Sequence, residues 1–162
     1  RILDRDYIFG YVSNYFRDLF RVNVKIKEQL HNSTIRCVIN SKLMHCFLIK
    51  HFNIPLGKKK NNLHIPRIIY DDKVLLRCYL RGLFDTDGSV YIRRKKSLVV
   101  TIASVDLPFL GEVKSAFIQL GYSPSVSGKN LCIYNQSQVK RFWKEIGSSN
   151  QKHKRRYDNF IK

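Results

Sequence analysis

The sequence lacks an apolar run of about 20 residues, the length that a transmembrane helix needs. Its first residues also lack the hydrophobic segment of a signal peptide, so we expect no membrane association. Acidic residues are scarce: 12 Asp and Glu stand against 30 Lys and Arg, for a formal net charge of +18. So large an imbalance argues against an acidic or neutral small molecule as the partner and favours nucleic acid.

The four cysteines form no Cys-x-x-Cys pair, which argues against a zinc ribbon or a redox motif. Each has apolar neighbours in the sequence, so we expect reduced thiols in the core at Cys37, Cys46, Cys78 and Cys132. Reduced thiols indicate an intracellular, reducing compartment, either the cytoplasm of a prokaryote or an organelle. The five histidines have no metal-ligand spacing and are expected at surfaces or interfaces.

Positive charge is distributed along the whole chain. Residues 1–75 hold 14 basic and 6 acidic residues, for a net charge of +8. Residues 76–162 hold 16 basic and 6 acidic residues, for a net charge of +10. Because basic residues punctuate periodic segments throughout, we expect the folded body, rather than a tail, to carry the nucleic-acid surface.

Two parts of the chain repeat one order of predicted elements. The first has a helix, two strands and a helix at 6–20, 22–27, 34–40 and 41–52. The second repeats them at 106–120, 123–127, 131–134 and 136–146. Asp6 and Asp106 begin the matching helices as N-cap residues, and a Lys-rich stretch follows each part.

Only the second part has a preceding helix and hairpin, predicted at 73–84, 90–94 and 98–103. The first part lacks a corresponding segment of roughly 30 residues. We therefore predict an α+β fold with a truncated first half-domain over residues 1–70 and a more complete second one over residues 71–162.

The stretch 80–89 carries the most chemical information. Gly82 lies inside a predicted helix, where it costs about 1 kcal/mol relative to Ala, which suggests that another backbone approaches closely. Gly88 is predicted to end this helix with a positive φ. Asp85 and Asp87 then lie at a helix C-terminus, where the dipole disfavours anions. Either a divalent cation compensates for them, or they cap and turn the chain.

Residues 80–88 resemble the signature of the LAGLIDADG homing endonucleases, which is matched by Leu80, Gly82, Leu83, Asp85, Asp87 and Gly88. The resemblance implies two pseudo-symmetric αββαββα half-domains whose sheets form a saddle in the major groove of DNA. It implies that the motif helices pack together through Leu80, Gly82 and Leu83. It also implies hydrolysis of double-stranded DNA by an intron- or intein-encoded enzyme, with Mg²⁺ or Mn²⁺ bound by Asp87.

Strand alternation and the resemblance together predict which side chains meet DNA. Val90 and Ile92 are expected in the core. The DNA-binding residues are expected to be Lys25, Lys27, Arg36, Tyr91, Arg93, Arg94, Lys95, Lys96, Val99, Thr101, Ser125, Ser127 and Lys129. The resemblance further implies catalytic roles near the scissile phosphates for Lys59 and Lys154.

The chain departs from the family in having one motif, and therefore one of the two expected catalytic carboxylates. Asp4 and Asp6 are near the right place in chain order, but nothing like the motif surrounds them. We expect the second carboxylate from a separate N-terminal segment or from a second copy of the chain.

Without that partner the motif helix would expose an apolar stripe made of Leu76, Tyr79, Leu80 and Leu83. Two other functions fit the same basic saddle. One is an RNA-binding intron maturase, and the other is a catalytically inactive DNA-binding module.

Overall fold

The computed structural model describes residues 4–29, 34–54, 63–94 and 97–161. It is an α+β protein in which helices pack on antiparallel sheets, as the sequence predicts. Within the described ranges, no helix is long and apolar enough to cross a membrane.

The first half consists of two helical segments around one hairpin. A π-helical stretch, Tyr7–Val12, leads into the first α-helix, and the elements are α1 Ser13–Phe20, β1 Val24–Gln29, β2 Thr34–Ile39 and α2 Lys42–Phe52. The Ser41 hydroxyl caps α2 by accepting a hydrogen bond from the backbone N–H of Met44 at 3.2 Å. The prediction that Asp6 caps the first helix is wrong, because its side chain makes no capping hydrogen bond.

The second half holds the larger sheet. Its elements are α3 Arg67–Tyr70, α4 Lys73–Asp87, β3 Gly88–Arg93, β4 Ser97–Ala103, α5 Leu107–Gln119, β5 Ser125–Ser127, β6 Asn130–Ile133, α6 Gln136–Glu145 and α7 Gln151–Ile161. The strands pair antiparallel in the order β3-β4-β6-β5. Asp106 caps α5 as predicted, by accepting from the N–H of Phe109 at 3.1 Å. Residues 151–156, expected only as a basic stretch, form the start of α7.

The two hairpins that the repeat relates differ in their neighbours. In the second half, β6 lies between β5 and β4, so both of its edges are hydrogen-bonded. In the first half, β2 pairs only with β1 among the described strands. The neighbour that β2 lacks among the described strands corresponds to β4, which belongs to the hairpin that precedes α5 in the second half.

The hydrophobic core belongs almost entirely to the second half. Residues of α4, α5, α6, β4 and β6 fill it, and the rings of Phe84 and Phe142 meet edge to face with centroids 5.0 Å apart. Of the described residues between 4 and 54, Ser13 is the only one that is buried. One hairpin and two helices therefore leave the first half with no buried apolar core of its own.

Gly88 ends α4 for a reason other than the predicted one. Its φ is −89°, so the residue does not occupy the left-handed region. A Cβ atom at this position would instead lie 2.2 Å from Cδ2 of Phe84. Glycine is needed here because the chain passes directly over the Phe84 ring as it enters β3.

Cysteine and histidine burial departs from expectation at four positions. Cys132 is buried, as predicted, but Cys37 is only half-buried, and Cys46 and Cys78 are exposed because each lies on the solvent face of its helix. His153 of α7 is 1% exposed rather than at a surface. Its ring packs on Phe84 with centroids 4.7 Å apart.

Candidate nucleic-acid interface and motif helix

The apolar residues of helix α4 pack into the hydrophobic core of the second half. Leu76, Leu80 and Phe84 recur at intervals of four residues and are fully buried, while Tyr79 and Leu83 are partly buried against the same cluster. The predicted exposed stripe through Leu76 and Leu80 is therefore wrong, because these residues pack on the sheet. Leu80 likewise lies in the core and not on a face open to a second helix.

The open face of α4 carries other residues. Leu75, Cys78, Gly82 and Thr86, which follow one another at intervals of three and four, are exposed. A Cβ atom at Gly82 would meet no heavy atom within 4 Å. The expected close approach at Gly82 is therefore not made by any described part of this chain.

Asp87 lies at the C-terminal end of α4 and is exposed. Its carboxylate accepts a hydrogen bond from the Thr86 hydroxyl at 3.3 Å. A carboxylate oxygen is a ligand that Mg²⁺ prefers, so Asp87 fits one position around such an ion. The described residues contain no group of three or more His, Cys, Asp or Glu side chains able to hold a metal. Asp87 therefore supplies at most part of a metal site.

Hydrogen-bond donors of the protein itself compensate the negative charge of the Asp85 carboxylate. The side chain is 3% exposed and accepts hydrogen bonds from the Ser148 hydroxyl, from the N–H of Ser149 at 3.0 Å and from the N–H of Asn150 at 3.3 Å. These donors lie at the N-terminus of α7, where the helix dipole favours an anion. For Asp85 the two alternatives were a bound divalent cation and a capping role. The structure shows the capping role, and the helix that Asp85 caps is the neighbouring α7 rather than its own helix.

The first half reaches this site through the start of its helical segment. The Tyr7 hydroxyl donates to Asp85 at 3.3 Å, and burial together with that carboxylate raises the pKa of Tyr7. Asp4 is bound to Lys152, with 2.7 Å between its Oδ1 and the ammonium Nζ. Burial acts to raise the pKa of Asp4, but hydrogen bonds from Lys152 and Asn150 outweigh it, so that pKa lies below its ordinary value. This pairing leaves Asp4 poorly suited to bind a metal.

Most of the predicted DNA-binding side chains in the described residues are exposed. They are Lys25, Lys27, Arg36, Tyr91, Arg93, Arg94, Ser125, Ser127 and Lys129. Lys27 and Arg36 lie directly opposite each other on β1 and β2. The guanidinium of Arg93 lies over the ring of Tyr134, 5.1 Å from its centroid. Lys59, Lys95 and Lys96 lie outside the described residues.

The expected alternation fails at two strand positions. Val99, expected toward DNA, is 1% exposed because both faces of β4 are covered at this point, as the burial of its sequence neighbours Leu98 and Val100 on the opposite face shows. Ile92, expected in the core, is 54% exposed near the end of edge strand β3. Thr101 is partly buried and accepts a hydrogen bond from the thiol of Cys132 at 3.4 Å.

Helix α7 brings a second group of basic residues to the motif. Lys154 is partly exposed, and Arg155 and Arg156 are exposed. Nη1 of Arg156 lies 3.4 Å from the hydroxyl oxygen of Ser89, two residues after Asp87. The contact places one face of α7 beside the start of β3, the strand that follows Asp87 in the chain.

Sequence patterns did not reveal three contacts that organise this site. Asp85 binds the N-terminus of α7, Arg81 donates to the carbonyl oxygen of Ile146 at 2.5 Å, and His153 packs on Phe84. Each contact joins residues more than 60 positions apart, so no local sequence spacing predicts it.

The comparisons with known proteins agree with this geometry. Residues 75–147 match the family model of a LAGLIDADG-like domain. A segment of 89 residues, 54% of the chain, is 34% identical to a DNA polymerase of Thermococcus litoralis, and the match covers 5% of that protein. The crystal structure of I-DmoI in complex with DNA and Mn has the same fold, with a TM-score of 0.58 and 16% identity over 89% of this chain and 76% of that one.

The motif helix, the four-stranded sheet and these matches confirm the resemblance seen in the sequence: residues 75–147 form a LAGLIDADG-like domain. The match to the family model begins with α4 and ends after α6. It therefore includes the motif helix with Asp85 and Asp87, together with all four strands of the larger sheet.

Proposed function

We propose that this protein is a site-specific endonuclease of the homing type, which hydrolyses double-stranded DNA in a metal-dependent reaction. The observation that carries the proposal is the position of Asp87. Its carboxylate is exposed at the end of the motif helix, directly before β3, whose Tyr91 and Arg93 are exposed and whose Ser89 contacts Arg156 of α7. Metal-dependent hydrolysis of a phosphodiester uses carboxylates to hold the metal ions, and nearby cations to stabilise the charge on the phosphate.

The DNA surface in this proposal follows the two hairpins. Lys25, Lys27 and Arg36 supply charge from the first hairpin, and Arg93 and Arg94 supply it from the second. The net charge of +18 makes phosphate contacts the dominant contribution to affinity. Alternate exposed side chains on the strands are then available to read base edges.

Mg²⁺ or Mn²⁺ fits Asp87 as one of its ligands. When bound, such an ion would lower the pKa of its water and stabilise the leaving oxygen. Asp87 holds its negative charge at the site, while Lys154 and Arg155 of α7 attract the phosphate backbone. The second acidic ligand must come from a residue other than Asp85, whose oxygens bind the N-terminus of α7.

Two uncovered features suggest what completes the site. The face of α4 around Gly82 is open, and β2 lacks a second neighbour among the described strands. A segment with the order helix, strand, strand, as in residues 73–103, would cover both. A second copy of the chain fits less well, because β4 is already paired on both edges and has none to offer β2. We therefore propose a separate helix–hairpin segment as the complement and source of the second carboxylate.

An origin inside a longer protein fits one further observation. The similarity to the Thermococcus litoralis DNA polymerase covers 5% of that protein. A module embedded in a longer polypeptide, as an intein is, would match in this way. An intron-encoded origin would give the same fold and site.

Cleavage of selected DNA tests the proposal. The target is first isolated by repeated binding to a library of random duplexes. The protein is then assayed with Mg²⁺ as the chain itself and as a completed chain, in which residues 72–104 are duplicated ahead of Asp4 through a flexible linker. We expect the completed chain to cut both strands. Its Asp87→Asn variant, changed at the original position and not in the duplicated segment, should bind DNA without cutting it.

The alternatives predict other results of the same assay. Binding to structured RNA in preference to duplex DNA, without cleavage, would indicate a maturase. Selective duplex binding by a folded completed chain that never cuts would indicate an inactive DNA-binding module. The second alternative has one observation in its favour: Asp85 binds the N-terminus of α7, which leaves Asp87 as the one exposed motif carboxylate among the described residues.

A further inference from the structure

Two charged residues of the motif helix hold the connection between α6 and α7. Arg81 Nε donates a hydrogen bond to the carbonyl oxygen of Ile146, just beyond the end of α6. One helical turn later, Asp85 accepts from the N–H groups of Ser149 and Asn150 at the start of α7. Both side chains therefore project from one side of α4.

The signs of these charges match the helix ends that they meet. A helix C-terminus carries partial negative charge and favours a cation, and a helix N-terminus carries partial positive charge and favours an anion. Arg81 lies at the end of α6, and Asp85 lies at the beginning of α7. Gly147, with φ of 65°, turns the chain between the two contacts.

The connection is too deeply buried for water to replace these contacts easily. Ile146 and Asn150 are 1% exposed, and Ser148 is 7% exposed. The Asn150 side chain adds a hydrogen bond to the backbone carbonyl of Asp85 at 3.3 Å. Loss of the Asp85 carboxylate would leave buried N–H groups without an acceptor, which favours movement of α7.

Helix α7 packs against β3, where Nη1 of Arg156 lies 3.4 Å from the hydroxyl oxygen of Ser89, two residues after Asp87. We infer that Arg81 and Asp85 are positioning residues, which fix α7 so that Lys154 and Arg155 meet DNA phosphates beside Asp87. The inference rests on the proposed DNA-binding function. It assigns the first carboxylate of the motif to orientation of a phosphate-binding helix, distinct from the role of Asp87.

The direction in which Asp85→Asn changes the affinity for DNA separates a positioning role from a purely electrostatic one. Asp85→Asn removes a negative charge, which by itself would strengthen binding to DNA. Loss of α7 orientation would instead weaken it, and we expect about 10-fold weaker binding at 150 mM salt if two phosphate contacts are lost. Asp71→Asn is the matched control, because Asp71 is exposed and has the same charge. We expect it to leave affinity unchanged or slightly stronger.

A double-mutant cycle then tests whether the effect passes through α7. In the otherwise unchanged chain, Lys154→Ala with Arg155→Ala should weaken duplex binding about 10-fold. In the Asp85→Asn background, the same pair should cost less than about 2-fold, because the contacts are already lost. Independent, multiplying effects would overturn the inference, since general destabilisation gives that result.

Arg81 provides a second test if Asp85→Asn fails to fold, which thermal unfolding will show. Arg81→Met should weaken DNA binding, and Arg81→Lys, which retains the cation at the end of α6, should restore more than half of the loss on a logarithmic scale. Equal affinities for all three proteins would overturn the inference. If the unchanged chain shows no salt-dependent duplex binding, the proposed function fails together with the inference. If that chain binds and only the cycle is additive, the proposed function stands and the inference alone fails.

Discussion

Gly82→Ala should have opposite effects on the isolated chain and on the completed protein. In the isolated chain, Gly82 lies within α4 and a Cβ there would meet no atom within 4 Å. Alanine avoids the backbone entropy that glycine loses in a helix, which amounts to roughly 0.5–1 kcal/mol. For a chain of this size the gain corresponds to a rise in Tm of about 1–4 °C, measurable by circular dichroism.

In the completed chain, the same methyl group would lie between two closely packed helices. Overpacking of this kind costs about 1–3 kcal/mol. This corresponds to a loss of about 5- to 150-fold in the assembled, cleaving form. Cleavage rate and Tm, measured on the same preparations, should therefore change in opposite directions.

Gly111→Ala is the matched control, since Gly111 is also an exposed helical glycine whose Cβ position is free. It should raise the Tm by a similar amount and leave cleavage unchanged. The reasoning about helix pairing is refuted if Gly82→Ala cuts as fast as the Gly111 variant. It is also refuted if Gly82→Ala destabilises the isolated chain, because the methyl group would then meet an atom within that chain.

Three further predictions concern charge. Asp87→Asn should abolish cutting by the completed chain while duplex affinity, measured by anisotropy, stays equal or rises; normal cutting would exclude Asp87 as a ligand. Affinity of the unchanged chain should fall about 10³-fold or more between 50 and 200 mM salt if six phosphates are bound, and a flat titration would contradict the electrostatic account. Burial, aided by nearby Lys152, lowers the pKa of His153 to about 4. The unfolded state therefore binds the extra proton between about pH 6.5 and 4, so stability should fall by up to about 3 kcal/mol as pH drops through that window. His153→Phe should flatten this dependence in pH-series melts, and an unchanged slope would assign it to another group.

Helix boundaries and the repeat could be predicted from sequence because their signals are local. Asp106 and Ser41 cap helices where the pattern places them, and Gly121 and Gly147 have the positive φ expected at helix ends. The motif itself could be identified because its glycines and carboxylates have fixed spacing. The structure shows why Gly88 is one of them, since Phe84 leaves no space for a Cβ.

The orientation of α4 could not be predicted, because both of its faces carry apolar residues. Leu76 and Leu80 pack on the sheet, while Leu75 and Val74 are exposed. Periodicity indicates that a helix is amphipathic, but it does not indicate which of two apolar faces meets the core. The same limit applies to Val99, because alternation does not indicate that β4 is covered on both of its faces.

The role of Asp85 required long-range structure. Its spacing from Asp87 suggested a shared cation, and only the return of the chain at residues 148–150 provides the N–H donors that it binds. A carboxylate two residues from the proposed metal ligand Asp87 therefore serves a helix N-terminus instead. The Arg81 contact with Ile146 also joins residues far apart in the sequence, and neither composition nor local spacing predicts it.

Single-turnover cleavage of the selected duplex by the completed chain, with and without Mg²⁺, tests the central claim most directly. The account predicts Mg²⁺-dependent cutting of both strands, and loss of that cutting in the Asp87→Asn variant while DNA binding persists. Equal cutting by the Asp87→Asn variant, or cutting of both strands by the monomeric 162-residue chain alone, would contradict it.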